Sequence, residues 1–175
     1  MKFNKKVPIY TLHTNSVLGG ITLAATDRGL AGVWFDEQRH APDTTGWVNA
    51  PQHPVLSQAA AQLTAYFEGT LDHFDMPLDL SHGTQFQQAV WQALLRIPRG
   101  GTTSYGKLGA DIGKPAAVRA VGAAVGRNPI SVVVPCHRVV GSNGSLTGYA
   151  GGLDRKSHLL HLENVERRKE RTPSP

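Results

Sequence analysis

The spacing of apolar residues changes near residue 80, and this change constrains the fold more than any other feature of the sequence. Before it, short apolar runs alternate with Gly- and Asp-containing turns, as in antiparallel hairpins; the runs are residues 7–13, 21–25 and 30–35. After it, apolar residues recur at helical spacing between glycine and proline breaks. We therefore predict an α/β protein with a small β-rich half, residues 1–80, and a mainly helical half, residues 81–165.

One helix is predicted within the β-rich half. Apolar side chains recur at helical spacing from Val55 to Phe67, and Gly69 stands where a C-terminal cap is expected. The preceding segment, residues 41–54, is rich in Pro, Thr, Gly and Asn and is predicted to be a loop. Residues 75–83 contain a proline and polar side chains, and mark the expected boundary between the halves.

Three helices are predicted in succession after this boundary. Thr84 is a candidate N-cap for the first, which reaches Leu95, and Ser104 begins the second, residues 105–112. A tight turn at residues 113–115 leads into the third, residues 116–125. A helix, a short glycine turn and a helix have the spacing of a helix-turn-helix unit, although most such pairs serve only for packing.

Positive charge is concentrated in the second half. Residues 1–80 contain five Lys and Arg against eight Asp and Glu, a net charge of −3, whereas residues 81–175 contain thirteen against five, a net charge of +8. Four of these basic residues belong to the end of the chain, where residues 166–175 are predicted to be a basic, disordered tail. The excess persists without them and indicates an anionic partner, of which nucleic acid is the first candidate.

The helix predicted at residues 116–125 is unusual in composition. It contains Arg119 as its one charged residue and otherwise only Ala, Val and Gly. Such a surface offers few hydrogen bonds to the base edges of the major groove, but it permits close approach to a neighbouring helix or to the minor groove of DNA. Arg119 is then either a solvated charge or a side chain that takes the place of a displaced base.

Cys136 is the single cysteine of the chain, which excludes an internal disulfide and a multi-cysteine zinc site. The β-branched run at residues 130–134 predicts a buried strand that places the thiol, with His137 beside it, at the end of a rigid element. A base or a positive field is needed to make such a thiol a good nucleophile. A carboxylate would orient the imidazole, and the residues alone leave Asp154 and Glu163 as equal candidates.

Several separated motifs of the second half agree with one known pattern. They are Arg119-Ala120-Val121-Gly122, Asn128-Pro129, Pro135-Cys136-His137-Arg138-Val139-Val140, Gly148-Tyr149-Ala150-Gly151-Gly152-Leu153 with Lys156, and Leu159-Leu160-His161-Leu162-Glu163. Together they resemble the O6-alkylguanine-DNA alkyltransferase family in its short bacterial form. The resemblance spans residues 84–165 in order and spacing, whereas residues 1–80 match only the general form of a ribonuclease H-like domain.

The resemblance implies roles for the residues around the cysteine. Cys136 is the implied alkyl acceptor, His137 the base that acts through a water, and Glu163 the carboxylate that fixes the imidazole. Asn128 is implied to brace the turn between the recognition helix and the active site. This chain has Ala150 at a position where some family members have a hydroxyl residue.

The resemblance also implies roles at the DNA and at the flipped base. Arg119 is the implied finger that fills the gap left by the extruded nucleotide, and Tyr105 is implied to rotate a phosphate and to donate to guanine N3, with Lys156 nearby. The implied DNA-contacting set is Arg119, Ala120, Tyr105, Ala117, Gly122 and Arg127. The implied base pocket is formed by Val139, Tyr149, Ala150, Gly151 and Gly152.

The activity implied by the resemblance is DNA repair by direct reversal. O6-methylguanine, and with it O4-methylthymine, would be flipped out of double-stranded DNA that is approached from the minor groove, and the alkyl group would pass irreversibly to Cys136, once per molecule. We expect a cytoplasmic monomer that needs no cofactor and no metal. Membrane association is not expected, because no stretch approaches the roughly 20 apolar residues that a membrane helix needs.

Three other functions are alternatives to direct-reversal repair. A non-catalytic protein that binds alkylated DNA would lack the acceptor thiol, so Cys136 argues against it. A cysteine hydrolase could use Cys136, His137 and Glu163 as a triad, but it would not need the basic half. A plain helix-turn-helix regulator is poorly served by the apolar helix at residues 116–125.

Overall fold

The computed structural model describes residues 2–163. Its first half contains a four-stranded sheet in the order β3-β2-β1-β4, in which β1, β2 and β3 form two antiparallel hairpins in series and β4 lies parallel to β1. One helix, α1, packs on this sheet. The elements are β1 (Tyr10–Ser16), β2 (Gly19–Thr26), β3 (Gly29–Phe35), β4 (Val48–Asn49) and α1 (Pro54–Phe67).

Helix α1 is bounded by the residues that the sequence indicates. Pro54 occupies the first turn, where its missing N–H costs no hydrogen bond. At the other end Gly69 has a φ of 80°, and the N–H groups of Gly69 and Thr70 donate to the carbonyls of Tyr66 and Ala65. This is a Schellman cap, so the predicted C-terminal role of Gly69 is confirmed.

The second half is mainly helical. Two of its helices begin at predicted caps: the Thr84 and Gln87 side chains form a reciprocal capping box, and the Ser104 hydroxyl accepts from Lys107 N. A two-stranded parallel ladder and one 3₁₀ turn, Cys136–Arg138, complete this half. The elements are α2 (Gln85–Leu94), β5 (Thr103–Ser104), α3 (Tyr105–Asp111), α4 (Val118–Gly126), β6 (Val139–Val140) and α5 (Leu153–Leu162).

The two halves share one hydrophobic core. A single cluster of buried side chains runs from Leu23 of the sheet through Tyr66 and Trp91 to Leu159 of α5. The expected boundary segment is itself attached to the sheet, since Leu30 N donates to Pro77 O at 2.9 Å and Asp79 N donates to Leu30 O at 2.7 Å. The mainly helical half also bonds to the sheet along β3, since Val33 N donates to Pro129 O at 2.9 Å and Ser131 N donates to Val33 O at 3.1 Å.

The prediction of a buried strand at residues 130–134 is wrong. Ile130 alone forms an isolated bridge, to Val33 of β3, and the chain then turns, with Val132 at a φ of 70°. Val133 N donates to Ser131 O at 2.8 Å, and Val134 N donates to Ile130 O at 2.9 Å. The β-branched residues are buried as predicted, but local turn hydrogen bonds replace a ladder, and the positive φ costs a β-branched residue conformational energy.

Three smaller expectations also differ from the structure. The first strand begins at Tyr10 and continues to Ser16, because its polar end still pairs with β2 up to Gly19. Helix α4 begins at Val118 and not at residue 116, since Ala117 closes the preceding turn on Lys114 O. The loop predicted at residues 41–54 contains the short strand β4.

Two further expectations concern a membrane-spanning helix and the C-terminal tail. Within residues 2–163 no helix combines the length and the hydropathy needed to cross a membrane. The basic tail predicted at residues 166–175 lies outside the described residues.

Candidate active site

Cys136 lies in the interior between the halves, with 6% of its surface exposed. It follows the turn at residues 130–134 and opens the 3₁₀ turn, with its own N–H donated to Val134 O at 2.8 Å. Because the backbone curls here and is not extended, Cys136 and the neighbouring His137 need not point to opposite faces. The turn thus allows the two side chains to belong to one site.

Asn128 connects the end of α4 to this turn. Its backbone N–H donates to Val125 O, its side-chain amide donates to Val134 O at 2.8 Å, and its side-chain oxygen accepts from Ile130 N at 3.0 Å. The same side chain acts to lower the pKa of the Cys136 thiol, against the larger effect of burial. A single buried side chain therefore couples the position of α4 to the position of the cysteine.

The imidazole of His137 is held by Glu163, at the C-terminal cap of α5. His137 Nε2 lies 2.8 Å from Glu163 Oε1, and both side chains are fully buried. Asp154, the other candidate from the sequence, is exposed in the first turn of α5. The structure therefore pairs His137 with Glu163 and not with Asp154.

Two further side chains bind the Glu163 carboxylate. Arg138 donates through Nε to Oε2 at 2.9 Å and through Nη2 to Oε1 at 2.8 Å, and its Nη1 donates to Ile97 O. The Tyr66 hydroxyl, from α1 in the β-rich half, donates to Oε1 at 2.7 Å. With His137, the described residues supply four hydrogen bonds to this one carboxylate.

These contacts set the charge of the pair. Burial raises the pKa of Glu163, but hydrogen bonds from His137 and Arg138 outweigh it and hold the pKa well below its usual range. Burial lowers the pKa of His137 despite the opposing effect of Glu163. At neutral pH the site therefore holds a carboxylate, a guanidinium and a neutral imidazole, and His137 Nδ1 is buried with no partner among residues 2–163.

The thiol is protonated in the resting site. Burial raises the pKa of Cys136 to about 11, while Asn128 and the positive charge of Lys156 act in the opposite direction. Burial lowers the pKa of Lys156 to about 8, and its ammonium donates to Val139 O and, at 3.0 Å, to Thr147 O. A base is needed to remove the thiol proton, and Lys156 is placed to favour the thiolate that results.

The loop at residues 148–152 borders the cysteine. Burial, followed by the nearby Cys136, raises the pKa of Tyr149, whose buried hydroxyl faces Ser131 outside hydrogen-bond geometry. A Cβ at Gly151 would lie 2.8 Å from the Tyr149 ring and 3.2 Å from Phe35, so this position excludes larger residues. The predicted pocket residues Val139, Tyr149, Ala150, Gly151 and Gly152 thus lie on two segments, β6 and this loop, that Lys156 joins through Val139 and Thr147.

The outer face of α4 is exposed and nearly free of polar side chains. Arg119 and Ala120 are exposed, Gly122 and Ala117 are partly exposed, and Arg127 follows as the exposed C-cap. Behind this face stands Tyr105 of α3, near enough that a Cβ at Gly122 would lie 3.8 Å from its ring. The Tyr105 hydroxyl accepts from Thr147 Oγ1 at 3.1 Å, and through Thr147 it is linked to Lys156.

Sequence reasoning assigned no role to several residues that build the site. Arg138 belongs to the motif that contains Cys136, and its position next to His137 is the sequence signal that could have indicated its place in the site. Tyr66 lies 97 residues from Glu163, and the only signal in the sequence is a polar aromatic residue on the buried face of a helix. Arg155 donates to Leu18 O at 3.0 Å and to Gly151 O at 3.1 Å, and so ties the pocket loop to the sheet.

Two family models match the chain. Residues 85–165 match "6-O-methylguanine DNA methyltransferase, DNA binding domain", and residues 9–80 match "6-O-methylguanine DNA methyltransferase, ribonuclease-like domain". The two matches together cover both halves of the described structure. The resemblance found in the sequence, and the fold that it implied, are therefore confirmed.

Individual relatives agree with the family models. A methylated-DNA--protein-cysteine methyltransferase of Mycolicibacterium paratuberculosis is 51% identical over 149 residues, which are 85% of this chain and 88% of the relative. The Methanosarcina acetivorans protein of the same name is 48% identical over 151 residues, which are 85% of this chain and 94% of the relative. The crystal structure of Mycobacterium tuberculosis OGT in complex with DNA matches with a TM-score of 0.80 and 49% identity, covering 90% of this chain and 92% of that chain. This chain belongs to the 6-O-methylguanine DNA methyltransferase family.

Proposed function

We propose that this protein repairs alkylated DNA by direct reversal, taking the alkyl group of O6-methylguanine, and also of O4-methylthymine, onto Cys136. The observation that carries the proposal is the arrangement at the cysteine: a buried thiol faces Lys156 and follows the exposed α4 through Asn128, and its neighbour His137 is kept neutral by burial and oriented by a buried carboxylate. The names of the relatives support the same activity.

The chemical step is a displacement at the alkyl carbon. The Cys136 proton passes through a water to Nδ1 of His137, whose Nε2 is occupied by Glu163. The thiolate attacks the alkyl carbon, a C–S bond forms, and the C–O6 bond breaks with its electron pair moving into the guanine. The guanine anion then takes up a proton, so that unmodified base and S-alkylcysteine are the products.

Two groups assist the departure of the base. The Tyr105 hydroxyl, which already accepts from Thr147, keeps its own proton free to donate to guanine N3. Lys156 holds the two segments of the pocket together through Val139 and Thr147, and its charge stabilises the thiolate. A donor and a positive charge at these points act where negative charge develops in the transition state.

DNA is approached through α4, from the minor groove. Small residues at Ala117, Ala120 and Gly122 permit close approach, while Arg119 occupies the space left by the flipped nucleotide and Arg127 contacts the backbone. The relative crystallised with DNA supports a DNA substrate. We expect the protein to act as a monomer in the cytoplasm.

The reaction consumes the protein. A thioether has no easy leaving group, and the chain has no second cysteine that could take the alkyl group onward. Each molecule therefore accepts one alkyl group. This property separates the proposal from a cysteine hydrolase, which would release its acyl group to water and turn over.

The test uses a duplex that carries a single methyl-labelled O6-methylguanine. With wild-type protein, label is expected on the peptide that contains Cys136, up to one equivalent, and the duplex is expected to regain guanine. The Cys136→Ala variant is expected to remain unlabelled and to leave the lesion in place. Label beyond one equivalent, or repair by the Cys136→Ala variant, would contradict the proposal.

A further inference from the structure

We propose that Tyr66, in the β-rich half, is a positioning residue for alkyl transfer: its hydroxyl holds the Glu163 carboxylate and thereby sets the basicity of His137. The proposal rests on the proposed function, because it concerns the base of that reaction. It gives the β-rich half, to which the proposed function assigns no substrate contact, a part in positioning the base.

The geometry makes Tyr66 and His137 share one oxygen. Both donate to Glu163 Oε1, from 2.7 Å and 2.8 Å. Tyr66 is 1% exposed, and burial followed by the Glu163 charge raises the pKa of its phenol, so that it stays protonated and acts as a donor. A donor on Oε1 withdraws negative potential from the imidazole, and this makes protonation of His137 less favourable.

The surroundings keep both Tyr66 and His137 neutral while they donate to Glu163. A protonated His137 would add buried positive charge beside Arg138 and Lys156, so the site favours the neutral imidazole. Arg99 lies 5.5 Å above the Tyr66 ring and donates to Leu162 O, which fixes the phenol relative to the end of α5. The titratable or charged groups that face this pair are Glu163 and Lys156 from α5 and its cap, Arg138 and Cys136 from the 3₁₀ turn, Tyr149 from the loop at residues 148–152, and Arg99 from the segment before β5.

The test compares Tyr66→Phe with a packing control. Tyr66→Phe removes only the hydroxyl, whereas Phe74→Leu alters the ring that packs at 5.3 Å from Tyr66 and makes no hydrogen bond to Glu163. The rate of single-turnover transfer from free O6-methylguanine is measured against pH for each protein. Without the hydroxyl the pKa of His137 rises, so the acid limb of the Tyr66→Phe profile is expected to move to higher pH by about 0.5 units.

The outcomes separate positioning from packing. An acid limb that moves in Tyr66→Phe and stays in place in Phe74→Leu supports the proposal. An acid limb that is unchanged in Tyr66→Phe, or that moves equally in both variants, overturns it. Wild-type protein that transfers no alkyl group at all overturns the proposed function.

A measurement on the unaltered protein covers the remaining cases, in which Tyr66→Phe fails to fold or the wild type is inactive. The protein is labelled with ¹³C at Cζ of tyrosine and with ¹⁵N in histidine, and its chemical shifts are followed against pH. The Tyr66 shift is expected to change with the same pH midpoint as the His137 shifts, because the two groups donate to the same oxygen. A Tyr66 resonance that does not follow His137 contradicts the proposal.

Discussion

Polar groups are concentrated around Glu163 and are nearly absent from the outer face of α4. Around Glu163, four hydrogen bonds from Tyr66, His137 and Arg138 converge on one buried carboxylate. On the exposed face of α4, Arg119 is the one charged side chain between Val118 and Gly126, and Ala and Gly occupy most of the other positions. In the first region the polar groups bond mainly to one another, whereas in the second the exposed surface is built from small apolar residues.

This difference separates preparation for chemistry from recognition. A base and its carboxylate are effective only when they are oriented before substrate arrives, and buried, mutually bonded side chains achieve this. A helix that approaches DNA closely needs small side chains more than it needs hydrogen-bonding groups. Asn128 joins the two regions, because it follows α4 and holds the turn that carries Cys136.

The largest effect is expected from Glu163→Gln. The neutral amide would leave the Arg138 charge buried without its partner and would place N–H groups against donors, so the free energy of unfolding should fall by about 3–5 kcal/mol. Alkyl transfer should also slow by about 100-fold, since the base loses its orientation. Urea denaturation and single-turnover kinetics measure the two effects.

Asp154→Asn is the matched control for this change. Asp154 lies on the same helix but is exposed in its first turn, where a carboxylate contributes less than about 1 kcal/mol. Its removal should leave transfer unchanged. Similar losses in Asp154→Asn and Glu163→Gln would contradict the central place given to the buried network.

A smaller effect is expected from Arg119→Ala, which tests the α4 side of the comparison. Loss of the side chain that fills the vacated stack should slow repair of a duplex by about tenfold, because flipping a base costs a few kcal/mol. Transfer from free O6-methylguanine should be nearly unaffected. Arg28→Ala, which alters an exposed arginine in the turn between β2 and β3, is the control and should change neither rate. Equal slowing on duplex and free base would remove the distinction between recognition and chemistry.

The smallest effect is expected from pH on stability. The folded-state pKa values of His137 and Glu163 both lie below their ordinary values of 6.5 and 4.5, so the unfolded chain binds more protons and acid favours it. The melting temperature should therefore fall as the pH is lowered through 6.5 and then through 4.5. In His137→Asn the first step should weaken, whereas in His161→Gln, which alters an exposed histidine of α5, it should persist. A first step that is equal in all three proteins would show that His137 does not cause it.

Local elements were predictable where one residue decides the backbone. Thr84 and Ser104 cap their helices and Gly69 ends α1, because a hydroxyl at an N-terminus or a glycine at a positive φ acts within four residues. Residues 130–134 were not predictable in this way. Their β-branched composition favours a strand, but the side chain of Asn128 and the turn at Val132 impose another backbone.

The sequence by itself identified the family and predicted the nucleophile, its neighbouring histidine and the α4 face, since all of these are carried by adjacent residues or by motif spacing. The spacing of residues left Asp154 and Glu163 equal, the family resemblance implied Glu163, and neither pointed to Tyr66. Only the tertiary structure shows the contact between His137 and Glu163 and brings Tyr66 to the same carboxylate across 97 residues, because these contacts depend on how α1 and α5 pack against a shared core. Chain order does not encode such packing in any local pattern.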